Sequence, residues 1–288
     1  RFSARLSLNS SSSLKFGYNR LRQYVHLISN TLAITPTDIW KTSDYHLKPL
    51  IGDQWSAGYF KNFNDNQIET SVEVYYKQMK NLVEFKDGAE LLLNQNLATE
   101  LLQGRGKAYG LELLLKKKSG RLTGWLSYTF SRTLRRVEGE FANETINRGN
   151  FYPSNFDKPH EISLVGDWQM HPKWNFGFNY TYSTGRPITI PIAQFTVNEV
   201  IIPYYSERNA FRVPDYHRLD LSFTFTPNLD QNRLWQDSWT FSLFNVYGRQ
   251  NPYSIFFRQD FRNIPPKAFQ ISVLGAIFPS LTYNFSWR

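Results

Sequence analysis

Hydrophobic and polar residues alternate with period two along most of this chain. From 174 to 182, Trp174, Phe176, Phe178, Tyr180 and Tyr182 take every second position, with Asn175, Gly177, Asn179 and Thr181 between them. Leu219, Leu221, Phe223 and Phe225 alternate in the same way with Asp220, Ser222, Thr224 and Thr226. Such a period puts the two classes of side chain on opposite faces of an extended strand. Helical spacing is confined to 89–102, where it suggests a short helix inside a loop. The pattern predicts about eleven strands, near 1–9, 13–30, 50–61, 67–86, 106–118, 121–136, 159–169, 173–185, 214–226, 238–248 and 268–287. Many exceed the about 5–6 residues common in soluble sheets and reach the about 9–11 that a tilted strand needs to cross a bilayer.

The connections alternate in length. Short ones fall at Ser10–Ser12, Asn62–Asn66, Ser119–Gly120 and Met170–Pro172, with a medium one at Pro227–Asp237. Long ones occupy Thr31–Pro49, Lys86–Arg105, Val137–Lys158, Arg186–Val213 and Arg249–Lys267. In an antiparallel meander this gathers the tight turns at one end and the long loops at the other, as in outer-membrane barrels. The expected fold is all-β, a transmembrane antiparallel up-and-down β-barrel. A soluble sandwich or lipocalin-like barrel also alternates. Against it stand the Asn, Ser, Thr and Gly of the polar face and the aromatics near strand ends. Trp55, Tyr59, Trp125, Trp168, Trp174, Trp239 and Trp287 would suit interfacial girdles.

Composition narrows the picture. Aromatics make up 17% of a chain that is only 41% hydrophobic, which excludes disorder. No apolar run is long enough for a membrane helix, and zero cysteines exclude disulfides and thiolate chemistry. The net charge of +9 is spread along the chain without a nucleic-acid motif, so no nucleic-acid partner is expected. Solvated turns and anionic lipid head groups are better partners for these cations. Arg20, Arg22, Arg132, Arg135 and Arg136 lie toward the long-loop ends, where lipopolysaccharide phosphates would be met.

An odd strand number is unusual for a single-chain bacterial barrel, and a spanning sheet must close. Arg1–Asn9 also starts in mid-pattern. The expectation is that residues 1–288 are the C-terminal portion of one barrel domain, about half of a 22-stranded barrel.

Six segments resemble the TonB-dependent outer-membrane receptors: Gly104–Ser131 (GRGKAYGLELLLKKKSGRLTGWLSYTFS), Asn155–Leu164 (NFDKPHEISL), Tyr182–Ile188 (YSTGRPI), Pro214–Phe225 (PDYHRLDLSFTF), Phe241–Tyr253 (FSLFNVYGRQNPY) and Phe278–Arg288 (FPSLTYNFSWR). Each is degenerate alone; their order and spacing are specific. The resemblance implies a plug, a TonB box and a first barrel half that are not in this sequence. It implies TonB as a partner through that N-terminal segment. It also implies the barrel-assembly machinery as a partner of the last strand, whose signal would be Leu281, Tyr283, Phe285 and Trp287. Such strands usually finish on an aromatic residue, whereas Arg288 follows Trp287 here. In relatives that import glycans or peptides a surface lipoprotein caps the barrel, a further expected partner.

Candidate chemistry is sparse. His26, His46, His160, His171 and His217 lack zinc-ligand spacing, so no metal is expected. There is no nucleophile elbow, P-loop or dinucleotide fingerprint, and no cofactor or catalytic residue is expected. The Arg218 and Asp220 pair reads as an ion pair of the lumen wall, and Tyr216 as an interface residue. Trp40, Tyr45, Phe151, Tyr152, Tyr204 and Tyr205, with Arg148 and Arg208, are the candidate ligand-binding residues of the long loops. The leading expectation is a transporter for a ligand too large for porins. A docking barrel and a passive channel are the alternatives.

Overall fold

A computed structural model describes residues 1–28, 39–89, 94–198, 200–230, 234–260 and 263–287. Eleven strands form one sheet: β1 (Phe2–Ser7), β2 (Ser12–Gln23), β3 (Leu50–Phe63), β4 (Ile68–Phe85), β5 (Leu101–Lys117), β6 (Leu122–Arg136), β7 (His160–His171), β8 (Trp174–Ser183), β9 (Tyr216–Phe225), β10 (Trp235–Phe244) and β11 (Phe278–Trp287). Each pairs antiparallel with its neighbour in this order, and Tyr152–Pro153 adds to β6. Among the described residues β1 and β11 pair on one side only, so the sheet is not closed. Among the described residues no helix is long and apolar enough to cross a membrane, which says nothing against crossing by strands.

The register sorts side chains into two faces. One face carries the row Tyr18, Trp55, Tyr76 and Tyr109, one residue from each of β2 to β5. Further along it lie Phe178, Leu221 and Leu243, and then Phe176, Phe223 and Phe241. Cross-strand aromatic contacts tie this face together: Trp239 meets Tyr283 at 4.5 Å and Trp235 stacks on Phe285 at 4.9 Å. Such pairs contribute roughly 0.2–1 kcal/mol each. The other face carries Thr129, Glu161 and Ser183 in one row and Thr224, Thr240 and Thr282 in another. Many large side chains of the first face remain exposed, left uncovered by the described residues.

Several elements depart from the pattern reading. The strand expected over 13–30 stops at Gln23. Val25–Ile28 leaves the sheet to pair with Ile39–Thr42, and residues 29 and 30 lie outside the described residues. The strand expected over 238–248 runs from 235 to 244 and ends at Asn245, whose φ is 54°. The segment 268–287 divides. Asn263–Ser272 forms a hairpin with Pro252–Asp260, and β11 starts only at Phe278. The break follows from Leu274 at φ 51° and from the buried Asn245 amide, which donates to the carbonyls of Leu274 (3.2 Å) and Ala276 (3.5 Å). Helix in 89–102 shrinks to Leu97–Glu100, residues 90–93 lying outside the described residues, and β5 already starts at Leu101. Trp125 belongs to the polar face, because it pairs with Lys116 and Val165 there.

One irregularity decides the chemistry. Asn81 in β4 sits at φ 59° and has no partner across the ladder, which steps from Lys80 opposite Arg105 to Leu82 opposite Gly104. An extra residue of this kind re-aims everything after it. Before the bulge, even-numbered residues of β4 lie on the aromatic face. After it, Leu82 and Glu84 lie on the polar face and are buried.

Candidate functional site at the loop end of the sheet

The five long connections emerge at one end of the sheet, and their bases are locked by buried polar groups. Asp157 is the first hub. Its side chain is fully buried, and its carboxylate accepts from Arg132 Nε at 3.2 Å, from the Thr133 backbone at 2.7 Å and from Arg212 Nη2. Arg212 Nη1 also donates to the carbonyls of Asp157 (2.8 Å) and Gly185 (2.9 Å). One carboxylate thereby joins the connection 137–159 to the connection 184–215. A buried charge is tolerated only when paired and hydrogen-bonded in this way.

Glu84 is the second hub, placed by the bulge at Asn81. Arg135 Nη1 and Arg208 Nη1 each lie 2.9 Å from it, and the Tyr152 hydroxyl donates to it at 3.2 Å. Burial, reinforced by the carboxylate, raises the Tyr152 phenol above its ordinary value. Arg208 additionally pairs with Asp87, donates to the Phe85 carbonyl at 3.1 Å and lies over the Phe85 ring. Its backbone is held on both sides by the Asn147 amide, at 2.7 and 2.9 Å. Beneath these contacts Leu102, Val137, Ile146 and Tyr152 form a small buried apolar cluster.

The third hub joins the connection 184–215 to the last one. Asp215 accepts from the Gly185 backbone at 2.8 Å and the Tyr182 hydroxyl at 2.7 Å, and these bonds hold its carboxyl below the usual range. Arg249 donates to the Asp215 carbonyl at 2.8 Å and to Asn251 at 3.2 Å. Gly185 has a steric reason to be glycine: a Cβ there would lie 1.7 Å from the Val213 carbonyl oxygen. Asn245 spans the last connection, donating to Arg249 O at 3.0 Å and accepting from Arg249 N at 3.1 Å. Asp157, Gly185, Asp215, Asn245, Arg249 and Asn251 all lie in the short segments singled out in the sequence, so those segments encode loop fastening.

Above the hubs a cavity of about 770 Å³ opens between 84–88, 147–155 and 187–209. Of the eight candidate ligand-binding residues, Arg148, Tyr204, Tyr205 and Arg208 line it. Tyr204 and Tyr205 are more than half exposed there, and Arg148 reaches Glu207 at 3.5 Å. Arg208 is committed to Glu84 and Asp87, and Tyr152 is only 2% exposed, so both hold the loops in place. Phe151 sits apart on the aromatic-face side, with Lys107 4.3 Å above its ring. Trp40 and Tyr45 are exposed on another connection and do not line this cavity. Arg218 pairs with Asp220 at 2.9 Å, as expected. Tyr216 faces inward with them, its hydroxyl accepting from Arg218 at 3.0 Å. Glu84 went unforeseen because strict alternation places it on the wrong face; an Asn late in a long strand was its only signal. Among the described residues no group of three or more His, Cys, Asp or Glu side chains could hold a metal.

The family described as TonB dependent receptor-like, beta-barrel matches residues 1–247. This chain belongs to that family. Its members are receptors of the outer membrane rather than enzymes, and the chain is a stretch of outer-membrane β-barrel. Solved TonB-dependent receptors share the fold. The ferric-catecholate import receptor Fiu from Escherichia coli K12 superposes with a TM-score of 0.60 at 13% identity, over 99% of this chain and 34% of that one. The pyoverdine receptor FpvA from Pseudomonas aeruginosa PAO1 gives 0.59 at 12% identity, over 99% and 35%. The E. coli outer-membrane transporter YddB gives 0.54 at 14%, over 96% and 38%. The chain therefore spans about a third of the length of these receptors. No protein of curated function matches the sequence. Within this TonB-dependent receptor barrel the aromatic face is the lipid side, the polar face the lumen side, and the long-loop end the cell exterior.

Proposed function

We propose that this chain forms the C-terminal half of the barrel of a TonB-dependent transporter, which takes up a ligand too large for porins. Two bare strand edges support the half-barrel reading, since hydrocarbon cannot satisfy an open ladder. The rest of the protein would supply the first strands, the plug and the segment that engages TonB. The observation that carries the uptake reading is the 770 Å³ cavity, held open by buried ion pairs and rimmed by exposed Tyr204, Tyr205 and Arg148. Exposed aromatics beside a cation suit capture of a large polar solute. The last strand turns Leu281, Tyr283, Phe285 and Trp287 to the lipid side, where the assembly machinery would meet it. Exposed loop tips are the surface a lipoprotein partner would cover. The test is uptake of radiolabelled ferric siderophores, cobalamin and oligosaccharides by cells expressing the full-length protein, with and without TonB. TonB-dependent accumulation of one solute supports the reading. TonB-independent diffusion would make it a passive channel, and no uptake alongside a stable co-isolated protein would make it a docking barrel.

A further inference from the structure

A second cavity lies on the lumen wall, below the loop hubs. It has a volume of about 390 Å³ and opens against two consecutive rows of the lumen face. Thr129, Glu161, Ser183 and Tyr216 stand side by side in one row. Ser127, Ser163 and Thr181 stand in the next. Loop bases close its outer side, among them Lys158, Thr184, Gly185 and Arg186. Hydroxyl groups therefore dominate the lining, with one carboxylate and two cations among them.

Lys158 and Glu161 pair at 3.3 Å, so their charges offset. Arg186 is left over. Its Nη2 donates to the Tyr253 carbonyl at 3.3 Å, while its Nη1 is buried with no hydrogen-bond partner among the described residues. Burial lowers its pKa from the ordinary guanidinium value, with no carboxylate opposing the shift. The backbone that carries it is fixed on both sides. Gly185 donates to Asp215 and accepts from Arg212, the Arg186 carbonyl accepts from the Val213 N–H at 3.0 Å, and Pro187 is fully buried. A guanidinium held in place with a buried, unused donor is costly unless an acceptor meets it. The segment 185–189 is the wall between this cavity and the outer one. Gly185 and Arg186 line the inner cavity, and Pro187, Ile188 and Thr189 the outer.

We infer that Arg186 and the two hydroxyl rows form a lumen-side subsite for a carboxylate flanked by hydroxyl groups, as in a sugar acid or a hydroxycarboxylate arm of the solute. Arg186 donates to the carboxylate from Nη1, and Ser127, Ser163 and Thr181 exchange hydrogen bonds with the hydroxyls. The cavity is of the size of small-molecule sites, about 300–1,000 Å³. The inference rests on the uptake reading above and narrows it to one class of solute.

The test uses the full-length protein in detergent, titrated with D-glucuronate, D-glucose and acetate by ligand-observed NMR. Heat-modifiable gel mobility reports barrel integrity. Wild type should bind glucuronate at least about tenfold more tightly than glucose, which lacks the charge, or acetate, which lacks the hydroxyls. Arg186→Gln should lose at least about tenfold in glucuronate affinity, and Arg186→Lys, which keeps the charge, should recover part of it. Ser163→Ala with Thr181→Val should weaken glucuronate several-fold and leave acetate unchanged. Equal glucuronate affinity in folded Arg186→Gln, or equal affinity for the three probes, overturns the subsite. If Arg186→Gln does not fold, unchanged glucuronate affinity in the hydroxyl variant overturns it instead. Absence of glucuronate binding by the wild type also overturns it, and means that a plug carboxylate or water already meets Arg186. Binding is read apart from transport. Glucuronate binding without TonB-dependent uptake of any solute would sink the uptake reading and leave the subsite. TonB-dependent uptake with both measurements unmoved by Arg186→Gln would do the reverse.

Discussion

The base and the tip of the same long connections are built on opposite terms. At the base, Asp157 and Glu84 are buried charges with every oxygen engaged, and their partners come from distant parts of the chain. At the tip, Tyr204 and Tyr205 stand more than half exposed only a few residues from Arg208, whose side chain is 10% exposed. The contrast shows how a receptor barrel can present adaptable side chains without a floppy mouth. Rigidity is supplied by a few low-dielectric ion pairs at the rim, which leaves the tips free of structural duty.

The strongest way to break this contrast is to remove a hub. Asp157→Ala would strand Arg132 and Arg212 and leave the Thr133 N–H without its acceptor. A loss of about 3–5 kcal/mol is expected for unmaking such a buried pair. It should appear as a lowered urea midpoint in detergent and as new protease cleavage within 137–159 and 184–215. Arg208→Ala should cost less, about 2–3 kcal/mol, because Arg135 and Tyr152 still serve Glu84. Its signature would be cleavage within 187–209 while 137–159 stays protected. Asn81→Val sharpens the point. A β-branched residue resists the φ of 59°, and once position 81 takes a regular place in the ladder Glu84 turns to the lipid side, so the variant should reproduce the Arg208→Ala cleavage pattern although every partner side chain is still present. An unchanged pattern would show that the bulge does not position Glu84.

The wall was legible in the sequence because period two is imposed by lipid on one side and water on the other. That is why β8, β9 and the aromatic half of β11 lie where alternation puts them. The short family-like segments were also visible, but their role was not. Asp157 inside NFDKPHEISL and Asp215 beside Tyr216 act through partners more than 20 residues away, which no local pattern reveals. Strand ends were misjudged where a single left-handed residue, Asn245 or Leu274, stops a run that composition would continue. Of the loop aromatics, Tyr152 and Tyr205 look alike in sequence. Only the fold separates the buried one from the exposed one.

Acid should loosen the third hub at a lower pH than an ordinary surface carboxylate would suggest. Asp215 is held below the usual value by the Gly185 N–H and the Tyr182 hydroxyl. A carboxyl whose folded value is depressed contributes in full above its unfolded value, about 3.9, and the contribution fades as pH falls through the folded value. Proteolytic protection of 184–215 should therefore be flat from pH 7 to about 5 and decline below about 4, a window set by the unfolded value. Asp215→Asn should lower protection at neutral pH by about 1–2 kcal/mol and abolish that acid-dependent decline. A decline centred near neutrality would point to another group.

The smallest structural effect is expected at the tips, and it is the one that tests recognition. Tyr204→Ala and Tyr205→Ala remove exposed rings that donate to none of the three hubs. Their urea midpoints should stay within about 0.5 kcal/mol of wild type, as for surface changes away from buried networks. If the cavity they rim captures the solute, uptake should nevertheless fall several-fold for the double variant, because aromatic contacts concentrate binding energy in few residues. Arg148→Ala, next to them and paired with the exposed Glu207 at 3.5 Å, should behave alike. Intact uptake in both, with stability unchanged, would move recognition away from this cavity and toward Trp40 and Tyr45, whose exposure leaves them as free to act.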